Sequence, residues 1–142
     1  MEEIISKSVD ETREFARTFA VSKVQHKPLI IALSGDLGAG KTAFVQGFAE
    51  GLKITDKIIS PTFVLAREHK IPNTNQTLHH IDLYRLEENT DIKTLGIEDL
   101  LKDENNIVLI EWADKIKNLL PKTSVYINIE KLKGDSRKIT IE

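Results

Sequence analysis

At 142 residues the chain suits one domain, residues 1–142, with no room for a second large one. Its 20 Lys and Arg nearly balance 22 Asp and Glu, and the formal charge of −2 creates no strong overall field toward nucleic acid or an anionic membrane. The absence of cysteine excludes disulfides, zinc fingers and thiol catalysis.

The acidic start, MEEIISKSVDE, lacks the apolar run of a signal peptide, and the longest apolar run, Leu29 to Leu33, is far too short to span a bilayer; a cytoplasmic location is the expectation. A short strand is predicted near Ile4–Ile5. Ser8 and Glu11 then have capping-box spacing, and Phe15, Ala16, Phe19 and Ala20 make an apolar stripe on a helix from Asp10 to Val24. His26, Lys27 and Pro28 end it. The run Leu29–Leu33 suits a buried parallel strand, and Thr42 to Leu52 reads as a helix with Phe44, Val45, Phe48 and Leu52 on one side. Further strands are predicted at Phe63–Glu68, Leu78–Asp82, Ile107–Ile110, Val125–Ile129 and Lys138–Ile141. Turns are predicted at residues 72–75 and 133–136, and helical pieces near Glu98–Lys102 and Ala113–Leu119. Strands alternating with helices point to an α/β fold, and the hairpins to a mixed sheet.

Gly35-x-x-x-x-Gly40-Lys41-Thr42 fits the P-loop pattern and lies between an apolar strand and a helix. In such a loop glycines let backbone N–H groups converge on phosphate oxygens, and the following helix presents its positive end to the anion. The expected cradle runs from Asp36 and Leu37 through Gly38, Ala39 and Gly40, with Lys41 reaching the β- and γ-phosphates and the Thr42 hydroxyl ligating Mg²⁺. Such sites need a carboxylate at the end of a neighbouring strand. Ile107–Ile110 ends in Glu111, and Leu78–Ile81 ends in Asp82. The cleaner apolar run assigns Glu111 to the Mg²⁺ shell, directly or through a water. Asp82 is then free to orient or activate the attacking water. Ser60-Pro61-Thr62 admits two readings: Thr62 meets the γ-phosphate or the metal, or the segment is an ordinary proline turn. Trp112 belongs to the core or to a partner contact. His79 and His80 read as a polar strand face rather than a metal site.

GDLGAGKT (35–42), SPTF (60–63), HIDLYRL (80–86), LGIEDL (95–100) and LIEWADK (109–115), in that order after a helix beginning SVDETREFA (8–16), resemble the TsaE family. These are small P-loop ATPases needed to make threonylcarbamoyladenosine in bacterial tRNA. The resemblance covers nearly the whole chain. It implies a three-layer α/β P-loop domain that hydrolyses ATP with Mg²⁺. It also implies work with TsaD, which transfers the threonylcarbamoyl group to an adenosine next to the anticodon, and with TsaD's partner TsaB; tRNA is met indirectly, through that complex. By resemblance, Lys41 and Thr42 are phosphate and Mg²⁺ residues, Glu111 a metal residue and Asp82 important for hydrolysis. Glu11, Thr12 and Gly134 are expected to approach the adenine.

Three rival readings are weaker. A small-molecule kinase commonly clamps phosphates with arginines on a lid, whereas the five arginines here are dispersed. A GTP switch would carry N-K-x-D and D-x-x-G, and the chain has neither. A nucleotide-binding scaffold without turnover differs in releasing no phosphate.

Overall fold

Successive side chains of a strand point to opposite faces, so an unbroken apolar run needs cover on both sides. The computed structural model describes residues 1–24, 28–36, 38–56, 58, 66–84 and 96–142, and there the runs are covered in this way. Strands β1 (Glu2–Ser6), β2 (Leu29–Ser34), β3 (Ala66–Lys70), β4 (Thr77–Asp82), β5 (Asn106–Glu111), β6 (Val125–Lys131) and β7 (Arg137–Ile141) form one sheet in the order β1-β7-β6-β2-β5-β4-β3. The central strands β6, β2, β5 and β4 are parallel. The edges are antiparallel: β3 on β4, β7 on β6 and β1 on β7.

Helices α1 (Val9–Lys23) and α2 (Lys41–Gly51) cover one face, where Phe19, Phe44 and Phe48 meet Leu29, Ile31 and Leu33 of β2 and Ile107 and Leu109 of β5. On the other face α3 (Ile97–Lys102) and a 3₁₀ helix (Ala113–Leu119) meet the alternate residues, Ile30, Ala32, Val108 and Ile110. This is the mixed, centrally parallel α/β fold expected from the sequence. Several element bounds differ in detail from the expected ones. β3 ends at Lys70 rather than Glu68, because its antiparallel register carries Lys70 opposite Thr77, up to the turn at residues 72–75. Residues 63–65 of the predicted strand lie outside the described residues. The helical piece expected after β5 is a 3₁₀ helix at Ala113–Leu119, with Ile116 leaving helical geometry at φ −127°.

Half of the expected capping box forms. The Ser8 hydroxyl accepts from the Glu11 N–H at 3.1 Å, while Glu11 reaches back to the Lys7 N–H at 2.6 Å rather than to that of Ser8. The α1–α2 contact rests on two glycines. A Cβ on Gly47 would lie 2.1 Å from the Arg13 carbonyl oxygen, and one on Gly51 would lie 2.4 Å from that of Arg17. The partners advance four residues in the same order on both helices. The helices therefore run the same way along this contact, and the start of α1 lies at the end where α2 starts.

Gly47→Ala should destabilise the protein. Removing a helical glycine gains roughly 0.5–1 kcal/mol, but forcing a methyl group against backbone costs about 1–3 kcal/mol. Urea unfolding should give a lower midpoint with an unchanged slope; an unchanged or raised midpoint would contradict the close approach.

Candidate functional site

In open α/β sheets ligands bind beyond the carboxyl ends of the parallel strands. Three such ends meet here. Register pairs Leu33 with Glu111 and Glu111 with Asp82. The loop that leaves β2, the acid ending β5 and the acid ending β4 therefore lie side by side. Glu111 and Asp82 share the sheet face of Leu109 and Leu78, the face that α2 covers.

The loop carries several left-handed backbone angles, with φ +144° at Gly35, +82° at Gly38 and +107° at Gly40. Side chains at Gly38 or Gly40 would be strained. The Ala39 N–H closes a turn onto the Asp36 carbonyl at 3.0 Å. Asp36 and Gly38 are exposed, Ala39 is buried, and Gly40 is the N-cap of α2. Lys41 is buried, donates to the Gly35 carbonyl at 2.7 Å, and holds its ammonium 4.5 Å from the centre of the Trp112 ring. Thr42 is exposed in the first turn of α2. Leu37 and Thr62, with the segment around Thr62, lie outside the described residues.

Glu111 is buried, and its Oε2 lies 2.7 Å from His80 Nε2. Asp82, half-buried, accepts from the Tyr84 N–H at 2.9 Å, which turns the chain after β4. Trp112 is half-buried with φ +60°, and packs on Tyr84 at 5.1 Å. It also packs against the apolar side chains beneath α3 and the 3₁₀ helix, and contacts Lys41.

The histidines differ from their sequence reading. Both are buried, because β4 has neighbouring strands on each side and cover on each face. His79 meets Asn106 Oδ1 at 3.0 Å on one face, and His80 meets Glu111 on the other. His80 Nδ1 has no hydrogen-bond partner among the described residues. No group of three or more His, Cys, Asp or Glu there could hold a metal alone. The donors present, the Thr42 hydroxyl and the Glu111 carboxylate with Asp82 adjacent, fit Mg²⁺, which is commonly bound by one or two carboxylates together with substrate phosphates.

Glu11 and Thr12 start α1, at the end of the α1–α2 pair where α2 begins. Thr12 is buried, 1% exposed, with its hydroxyl 2.7 Å from that of Ser6. Gly134 sits at φ +65° in the β6–β7 turn. A residue the sequence reading passed over joins that turn to the loop. Arg137 donates to the carbonyls of Ala39 at 2.8 Å and Gly38 at 3.4 Å, and to those of Ser136 at 2.9 Å and Gly134 at 3.3 Å.

The geometry defines the class: an α/β protein with a Gly-rich loop of P-loop pattern at the carboxyl edge of a centrally parallel sheet. Residues 6–139 match the family described as "Threonylcarbamoyl adenosine biosynthesis protein TsaE". The chain is 40% identical over 141 residues to the tRNA threonylcarbamoyladenosine biosynthesis protein TsaE of Rickettsia bellii, covering 96% of this chain and 92% of that one. It is 40% identical over 111 residues to the protein of the same description from Bacillus subtilis, covering 78% and 67%. The crystal structure of Bacillus subtilis YdiB superposes with a TM-score of 0.79 at 32% identity, over 99% of this chain and 83% of that one. The chain belongs to the TsaE family, whose members act in threonylcarbamoyladenosine biosynthesis. No helix among the described residues is long and apolar enough to cross a membrane.

His80→Ala should leave the Glu111 carboxylate buried without its partner. A lost bond of this kind costs about 1–3 kcal/mol. Thermal melting should show the loss, and His80→Gln, whose amide can still donate, should recover part of it. Equal melting temperatures for all three proteins would mean that the pair contributes nothing.

Proposed function

We propose that this chain is a Mg²⁺-dependent ATPase that supports threonylcarbamoyladenosine formation next to the tRNA anticodon by driving turnover of a TsaB–TsaD complex. The observation that carries the reading is the register of β2, β5 and β4, which sets the loop with Lys41 beside Glu111 and Asp82.

In this reading the N–H groups of the loop and of the first turn of α2 bind phosphate oxygens, with the helix end adding its positive dipole. The Lys41 ammonium exchanges the Gly35 carbonyl for the β- and γ-phosphates. Thr42 and Glu111 hold Mg²⁺, which when bound neutralises charge on the phosphate oxygens. His80 fixes the direction of the Glu111 carboxylate. Asp82 orients the attacking water and accepts its proton. Thr62 belongs to this reading as a contact to the γ-phosphate. The adenine lies toward the corner formed by Glu11 and the Gly134 turn, which Thr12 keeps in shape from within. Loops following β4 and α2 report the nucleotide state to TsaB and TsaD, and tRNA is reached through them.

Lys41→Ala should weaken ATP binding and abolish hydrolysis, because the β/γ charge loses its cation. Calorimetric titration showing unchanged affinity would remove Lys41 from the site. In the native protein phosphate release should be slow alone and faster with the TsaB–TsaD pair. A phosphorylated small-molecule product in place of free phosphate would instead make it a kinase.

Asp82→Ala and Glu111→Ala should separate. The Asp82 variant should bind MgATP and hydrolyse it about 10²–10⁴-fold more slowly. The Glu111 variant should recover partly as Mg²⁺ is raised. If Asp82→Ala hydrolyses normally while Glu111→Ala binds but is inactive, the two roles are exchanged.

A further inference from the structure

We infer that Arg137 is a positioning residue for the phosphate loop, setting the direction of its N–H groups before any nucleotide arrives. The inference rests on the proposed nucleotide reading of that loop, and deepens it.

The guanidinium has five N–H donors in a rigid fork and no acceptor. Here the fork spans two segments far apart in the chain. Nε and Nη2 take the Ala39 and Gly38 carbonyls, 98 and 99 residues away, while Nη1 takes the Gly134 and Ser136 carbonyls of its own hairpin. Arg137 is itself anchored as the first residue of β7, paired with Ser6 of β1 and Lys131 of β6. Its backbone is thus fixed by the sheet, and its side chain transfers that position to the loop.

A peptide unit is planar and trans, so its C=O and N–H point in opposite directions. Holding the Ala39 carbonyl against Arg137 therefore turns the Gly40 N–H away from Arg137. The Ala39 N–H of the preceding unit is already committed to Asp36. The clamp thus sets the direction of the Gly40 N–H, which precedes Lys41, at a glycine with φ +107° that has no side chain to hold it. Left to itself, such a glycine samples several backbone wells, and ordering them on binding would weaken affinity. Lysine cannot replace the fork: its single ammonium cannot take carbonyls of loop and hairpin with the same planar geometry.

The test compares the native protein with Arg137→Met, which keeps the apolar stem, and Arg137→Lys. Amide hydrogen exchange is followed by NMR without nucleotide, and ADP affinity by calorimetry with Mg²⁺, both well below the melting temperature. Arg137→Met should speed exchange at Ala39–Lys41 while β5 amides stay unchanged. It should weaken ADP binding about tenfold, the equivalent of about 1.4 kcal/mol. Arg137→Lys should recover only part of both. Unchanged exchange at Ala39–Lys41 overturns the clamp, as does unchanged ADP affinity in a native protein that binds ADP. Faster exchange across the whole sheet, with no excess at the loop, makes Arg137 a stability residue only and also overturns it. If the native protein binds neither ADP nor ATP, the nucleotide reading fails, and loop exchange alone decides whether Arg137 orders the loop.

Discussion

The parallel register of β2, β5 and β4 is the constraint on which the site depends. Parallel neighbours end on the same edge, so one alignment brings together the loop after β2, Glu111 and Asp82. Side-chain direction follows from the same alignment. Strand period two places His80 and Asp82 on the face of Leu78, and Glu111 on the face of Leu109. A one-residue slip of β4 would turn His80 and Asp82 to the other face and leave Glu111 without its partner. Along β2 and β5 successive side chains enter the two apolar clusters in turn, and β4 places Leu78 in one and Ile81 in the other, so such a slip would also place His79 on the face covered by α1 and α2.

A second constraint comes from the outer strands and first two helices. α1 approaches α2 as closely as it does because Gly47 and Gly51 lack side chains. β1 pairs with β7, which sets Ser6 beside Arg137. From there one chain of contacts leads through Ser6 to Thr12, and another through Arg137 to the loop. The two ends of the chain thereby support one corner of the site.

The site also concentrates features that a stable fold would otherwise avoid. Trp112 holds a left-handed backbone, a conformation costly for a bulky residue. A carboxylate is buried against a histidine whose second nitrogen is unpartnered among the described residues. Lys41 is buried with a carbonyl and an aromatic face in place of an acid. A buried cation held by neutral groups is incompletely compensated, and an anion would complete it.

What the sequence determined by itself was everything set by residues a few positions apart. The cap of α1 needs only Lys7, Ser8 and Glu11. The loop needs its own glycines and Lys41, and the buried strands need only their apolar runs. The two acids were legible as strand ends, Glu111 after an apolar run and Asp82 after a run broken by His79 and His80. Tertiary structure decided what depends on pairing across long separations. Nothing near Arg137 marks it as a partner of Ala39, because that contact exists only once β7 has joined β6 and β6 has joined β2. Likewise, histidines in a strand resemble an exposed polar face until the strand gains neighbours on both sides. Gly47 and Gly51 look like weak points in a helix until α1 is laid against them. Local motifs carry their energy within one segment, whereas these contacts form only after the sheet has fixed which segments meet.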